Sequence, residues 1–168
     1  MIARRAASEY LSAMSTPQPP PPTFTEMRLP PALKTLITSA YDRGKYFSVA
    51  YVGLDGRPEL SFRGSLQVYS DTQLAIWARN PEGGLNKAIG TNPQIALLYG
   101  DFSPDSRAVI TFHGRGRIDT SETVRNAVYD NAAAGERERD KDRKGDALII
   151  DLESVEGFFS GGMLKMRR

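Results

Sequence analysis

From Arg57 to Ile118 the chain reads RPELSFRGSLQVYSDTQLAIWARNPEGGLNKAIGTNPQIALLYGDFSPDSRAVITFHGRGRI. Four runs stand out: SLQVY (65–69), LAIWA (74–78), QIALLY (94–99) and RAVITFHGRGRI (107–118). Each is rich in β-branched, aromatic or leucine side chains and is bounded by Gly, Pro, Asp, Ser or Asn, the pattern of strands separated by turns. Between the second and third lies NPEGGLNKAIGTNP (80–93), too polar and too Gly-rich for a strand. It reads as a loop with a short helix. A loop so rich in backbone N–H groups, flanked by Arg79 and Lys87, can hold an anion.

Upstream, Pro30-Pro31 suits a helix start, because proline at the first helical position gives up no bonded N–H. Leu33, Leu36, Ile37, Ala40 and Tyr41 follow at helical spacing, and Gly44 is placed to end the helix in a left-handed conformation. Tyr46–Leu54 alternates and predicts a strand. Asp55-Gly56 is a hairpin signal that sends the chain back through Arg57.

Downstream, Asp119-Thr120-Ser121-Glu122 offers helix-capping residues. Val124, Ala127, Val128 and Ala132 then trace an amphipathic helix ending near Gly135. The run ERERDKDRKGD (136–146) alternates in sign and reads as a solvated helix end or loop; its acids cancel its bases, against a nucleic-acid arm. Ala147–Leu152 is the last expected buried strand. Glu153–Phe159 is expected to turn, and Gly161-Gly162 to lead into a basic tail with Lys165, Arg167 and Arg168. The sum is mainly β (α+β): about six or seven antiparallel strands in a barrel or curved sheet, with flanking helices outside and closure protecting the edges.

The first 29 residues are set apart as a Pro-rich arm, with a short helix around Ala6–Met14 and a polyproline spacer at Pro19–Pro22; the folded domain is expected over 30–168. The arm lacks the continuous apolar core of a secretory signal, and the expected location is cytoplasmic. At 168 residues a single domain is the default. The formal charge of +2 is too weak to argue for nucleic acid. There is no cysteine and one histidine, His113, so thiolate and His-rich metal sites are excluded. No apolar run approaches the roughly 18 residues of a membrane-spanning helix. No metal site is expected, and the pairs Asp101/Asp105 and Glu136/Glu138/Asp140 read as loop charges.

Taken in order, these pieces resemble a family. A hairpin, a strand ending in RGSLQVY, the strand LAIWA, a Gly/Lys-bearing loop-helix, NPQIALLY, a strand carrying GRGRI, and the closing ALIIDLESVEGF together resemble the FMN-binding split-barrel proteins related to pyridoxamine 5'-phosphate oxidase, over residues 30–160. The resemblance implies a split β-barrel, a homodimer, flavin mononucleotide at the subunit interface and a small-molecule substrate. It implies that the strand Phe62–Gln67 lines the flavin: Arg63, Gly64 and Ser65 match best, followed by Leu66 and Gln67. The end of the next strand contributes Trp77, Ala78 and Arg79. The family's phosphate-binding lysine, counted back from Asn92-Pro93, falls on Leu85, with Arg79, Asn86 or Lys87 as substitutes. The tail GFFSGGMLKMRR lacks the arginine and histidine with which true pyridoxamine-phosphate oxidases hold substrate. The expectation is therefore an FMN-dependent oxidoreductase that is not a vitamin B6 oxidase. The alternative is a non-catalytic carrier of flavin, the deazaflavin F420 or haem.

Read from the residues themselves, a flavin phosphate needs about two cations and several N–H donors. Arg63 and Arg79 are suited to it because a guanidinium can bond two oxygens at once. Trp77, the only tryptophan, is expected in the core rather than stacked on a flavin. His113 is expected to be structural or interfacial, and no catalytic residue is assigned.

Overall fold

The computed structural model describes residues 25–168. The expected helix at Ala6–Met14 and the spacer at Pro19–Pro22 lie outside them. The elements run β1 (Thr25–Glu26), α1 (Pro31–Thr38), β2 (Phe47–Val52), β3 (Pro58–Arg63), β4 (Gln67–Val68), β5 (Gln73–Ala78), α2 (Gly84–Thr91), β6 (Gln94–Asp101), β7 (Ala108–Asp119), α3 (Glu122–Asn131), α4 (Ala134–Arg137), β8 (Asp146–Phe159) and β9 (Gly162–Arg167). The class is mainly β, as the alternating runs imply.

β8 is the hub. One edge pairs with β7 along nearly its whole length. The other edge is shared: Gln73–Ala78 of β5 takes Asp146–Asp151, and β9 takes Ser154–Phe159. The main path is β1-β9-β8-β7-β6-β2-β3, with the β4–β5 hairpin branching from β8. The sheet is not closed, so closure does not protect its edges as expected. β3 is an end of the path, and it begins with the exposed pair Pro58-Glu59. Proline and charge at an edge discourage strand addition.

The apolar patterning explains the layers. LAIWA and ALII are continuous because both faces of β5 and of the first half of β8 are covered. One face joins the main core with Phe47, Leu97, Tyr99, Ile110 and Phe112; the other packs Ala75, Trp77 and Ile149 against Val128 and Tyr129 of α3. Trp77 and Tyr129 meet edge to face at 5.2 Å, an arrangement that contributes about 0.5–1.5 kcal/mol beyond area burial. The other strands alternate. Their outer face carries Phe62, Ser48, Leu98 and Thr111 in one cross-strand row, and Leu60, Ala50, Ala96 and His113 in the next.

Several expectations are corrected. Helix α1 ends at Thr38, and Gly44 (φ 67°) instead closes the turn that follows. SLQVY supplies only the two-residue β4. The expected Glu153–Phe159 turn is strand, and the expected tail is β9. Between them Ser160 and Gly161 both take positive φ, 53° and 79°, as the centre of a tight hairpin turn requires. β8 keeps its pairing past residue 152 through a bulge, where the β7 register slips between His113 and Gly114. A Cβ on Gly114 would lie 2.3 Å from the Asp151 carbonyl oxygen. Packing also begins before Pro30: Thr25 pairs with Met166, and Met27 and Leu29 are buried.

The loop charges are corrected most sharply. Asp101 is 1% exposed. It accepts from Lys45 Nζ at 2.9 Å, Ser103 N at 3.0 Å, Ser106 Oγ at 2.9 Å and Arg43 Nη1 at 3.3 Å. The Ser103 backbone N–H and then Lys45 hold its carboxyl far below the usual carboxylate range. Glu136 and Asp140 are buried within the supposedly solvated run. Burial pushes the Asp140 carboxyl up, but hydrogen bonds from the Lys144 and Gly145 N–H groups and the Trp77 indole outweigh it and leave it lowered.

Candidate functional site

Where β3 ends, β5 ends and α4 crosses, a cleft of about 320 Å³ opens, lined by Arg63, Ser65, Trp77, Arg79 and Glu136 among others. It adjoins a second hollow of about 220 Å³ that shares Arg63, Arg79 and Asn80 and reaches Tyr51, Gly83, Gly84 and Asn86. The strands carrying the two arginines are not paired with each other. The chain turns from β3 through Gly64 into the β4–β5 hairpin, and so returns Arg79 to the same cleft as Arg63.

Helix α2 points its N-terminus into this space. Its cap is Gly83, with no side-chain cap bond and no acidic residue in the first turn. The loop before it is held by Asn80, whose Oδ1 accepts from Glu82 N at 3.1 Å and whose carbonyl accepts from Gly83 N at 2.9 Å. An uncapped helix start beside two guanidiniums is a ready anion site. Among the described residues, four buried side-chain atoms lack a hydrogen-bond partner: Arg63 Nε, Asn86 Nδ2, Asn86 Oδ1 and Ser61 Oγ. Three belong to cleft residues, and Ser61 precedes Arg63 by two positions on β3. Burying such groups unbonded costs about 1–3 kcal/mol each, so a cluster of them calls for a partner, whether water, an ion or a ligand. Burial pulls the Arg63 guanidinium below its ordinary pKa, with Tyr51 opposing, the charge of Arg79 adding and Glu136 opposing. A larger hollow of about 540 Å³ lies by Leu36, Arg107 and Phe158. Its lining includes no unpartnered buried side-chain atom and no helix start.

Solved structures share this architecture. HupZ from Group A Streptococcus superposes with a TM-score of 0.60 at 21% identity, over 79% of this chain and 95% of that one. A protein from Clostridium acetobutylicum related to general stress protein 26 of B. subtilis, of the pyridoxinephosphate oxidase family, gives 0.57 at 12% identity, over 80% and 95%. An FMN-binding protein from Syntrophomonas wolfei subsp. wolfei gives 0.59 at 7% identity, over 94% and 97%. The fold is the pyridoxamine 5'-phosphate oxidase-like split barrel. No family model matches the chain, and no curated protein does.

On this split barrel the expected site residues fall into two sets. Arg63, Gly64, Ser65, Trp77, Ala78, Arg79, Leu85 and Asn86 all line the two hollows. Leu66, Gln67 and Lys87 do not. Leu66 is core, Gln67 donates to the Val128 carbonyl at 2.8 Å, and Lys87 pairs with Glu82 at 3.1 Å on the far side of α2. Within the first set, the Ser65 hydroxyl donates to the Trp77 carbonyl at 3.0 Å, and the Trp77 indole donates to Asp140 at 2.9 Å. Both therefore shape the wall. Leu85 is buried, an apolar side chain where the resemblance places a lysine.

Sequence reading missed Tyr51, Asn80 and Glu136. The Asn-Pro-Glu-Gly-Gly turn gave a signal for Asn80. Nothing local marked Glu136 within a run of mixed charge. Gly64 is fixed by this missed neighbour, since a Cβ there would lie 2.7 Å from Glu136 Oε1 and 2.9 Å from Tyr41 Cε2.

Proposed function

We propose that the cleft binds flavin mononucleotide, its phosphate held by Arg63, Arg79 and the first turn of α2. The protein would act as an FMN-dependent oxidoreductase on a small-molecule substrate, as a two-fold dimer. The carrying observation is the convergence of half-buried Arg63 and buried Asn86, each with buried polar atoms that lack a partner, on an uncapped helix N-terminus. That donor set fits a phosphate monoester. One structural neighbour is described as FMN-binding, which supports the same reading.

When bound, the flavin supplies the hydride or electron chemistry. The chain's residues bind and orient. Arg63 presents a fork that can engage two phosphate oxygens. Asn86 offers one donor group and one acceptor. Ser65, its proton committed to the Trp77 carbonyl, can still accept. The haem alternative finds no histidine or methionine among the cleft lining; Tyr51 is the one side chain there that could ligate iron, and His113 lies on the outer sheet face.

The dimer is supported by that outer face. Leu60, Phe62 and Leu98 are exposed around the small residues Ser48, Ala50 and Ala96, and Phe62 also borders the cleft. A second copy seated there would cover the apolar patch and wall the open side of the cleft. The segment in which B6 oxidases hold substrate is here spent on β9 and its pairing with β8, so pyridoxamine phosphate is not the proposed substrate.

Flavin titration combined with sedimentation tests the proposal. One FMN per chain should sediment with a dimer, and Arg79→Ala should weaken binding by about 1.5–3 kcal/mol, the value of a charge-assisted hydrogen bond. Unchanged affinity in the variant would remove Arg79 from the site, and a monomer that binds FMN normally would remove the shared dimer site.

A further inference from the structure

Glu136 is out of place in an anion site. Its side chain is only 8% exposed, and it enters the cleft from α4, a single helical turn. Its Oε2 lies 3.8 Å from Arg79 Nε, too far for a hydrogen bond but close enough to cancel charge. Its Oε1 takes a full hydrogen bond from Arg139 Nη1 at 2.5 Å. Arg139 is held in turn against Tyr41 Oη at 3.3 Å and does not line the cleft. The carboxylate therefore sits between two guanidiniums, one belonging to the cleft and one outside it. The backbone beneath it is pinned: a Cβ on Gly135 would lie 2.1 Å from Tyr41 Oη, so α4 is seated directly on that ring.

We infer that Glu136 is a built-in competitor for the phosphate subsite, neutralising Arg79 in the ligand-free protein and staying paired with Arg139 when a phosphate ester takes over Arg79. The inference rests on the reading of the cleft as a phosphate-ester site and adds a control on its affinity. With Arg63 and Arg79 alone the cleft would carry two positive charges; with Glu136 it carries one. A dianionic phosphate meets both a screened arginine and a like charge, whereas a neutral ligand portion meets neither. Arg139 makes the arrangement reversible, because it keeps the carboxylate bonded when a ligand takes over Arg79 and so avoids an unpaired buried charge.

The test titrates FMN and, separately, riboflavin, which lacks the phosphate, into the full chain and four variants (Glu136→Gln, Arg139→Met, Arg79→Ala and the Glu136→Gln/Arg79→Ala double), with a thermal melt of each. Glu136→Gln keeps the size and the acceptor for Arg139 while removing the charge. It should tighten FMN by about tenfold, the scale of relieving one partly exposed charge contact, and leave riboflavin unchanged. The gain should vanish when Arg79→Ala is added. Arg139→Met leaves the carboxylate dependent on Arg79 alone and should act in the opposite direction, weakening FMN severalfold. Equal tightening of FMN and riboflavin, or unchanged or weaker FMN binding by Glu136→Gln, would overturn the inference. A merely structural Glu136 would make both single variants bind FMN more weakly. If Arg79→Ala weakens FMN while Glu136→Gln does not tighten it, this inference alone falls. If neither wild type nor Glu136→Gln binds FMN, the cleft reading falls and takes it along.

Discussion

Two buried polar clusters sit on this barrel, and they are opposites. Around Asp101 every lone pair has a donor: Lys45 and Ser103 N on one oxygen, and Arg43 and Ser106 on the other, with Tyr99 Oη alongside at 3.5 Å. Around Arg63 and Asn86 three buried polar atoms have no donor or acceptor at all. The first cluster is complete within the chain and ties the loop after β6 to the segment after α1. On the proposed function the second is completed by the ligand. An unmet buried group destabilises the free protein, and a ligand that bonds it relieves that cost.

The largest expected effect breaks the first cluster. Asp101→Ala leaves Arg43, Lys45 and the Ser103 N–H facing one another without their acceptor. It should lower the melting temperature by roughly 5–10 °C while leaving FMN affinity unchanged; a melt with parallel flavin titration checks both. The same residue carries an acid signature. Its folded pKa is depressed, so the stability it gives is fully present above the ordinary carboxylate pKa of about 3.9 and is lost as pH falls below that. Asp101→Asn should therefore flatten the acid limb of a stability–pH curve below about pH 4, and an unchanged limb would contradict the assignment.

Next in size, Arg63→Ala should reverse the pattern. FMN affinity should fall by about 10- to 150-fold, the equivalent of 1.5–3 kcal/mol, with a melting temperature unchanged or raised because a partly unmet buried guanidinium is gone. A large loss of stability instead would place Arg63 with Asp101 as a structural residue.

How far this contrast could be read from sequence follows from the range of the signals. Strand runs, the Asp55-Gly56 hairpin and the Gly83-Gly84 helix start are local, and local chemistry fixes them. The convergence of Arg63 and Arg79 does not come from pairing between the strands that lead to them. The two strands meet through the β4–β5 hairpin, a long-range arrangement that no spacing encodes. The burial of Asp101, Glu136 and Asp140 was invisible for the same reason: their donors come from residues up to 63 positions away, as Trp77 does for Asp140. The continuation of β8 beyond Leu152 was hidden by Gly157, whose φ of 153° and contact with β7 read as a turn when only the letters are seen.

The smallest effect sharpens the comparison. Asn86→Ala removes a neutral donor and acceptor, and should weaken FMN about fivefold, the value of roughly one uncharged hydrogen bond. Its stability should hold within a few degrees, since no bond within the chain is lost; the same paired melt and titration reads it out.

The most direct measurement is a crystal structure of the protein with FMN. The account predicts a phosphate within hydrogen-bond distance of Arg63 and the first N–H groups of α2, with the Asn86 amide bonded. A flavin seated elsewhere, such as the hollow beside Arg107 and Phe158, with Arg63 and Asn86 still unpartnered, would contradict it.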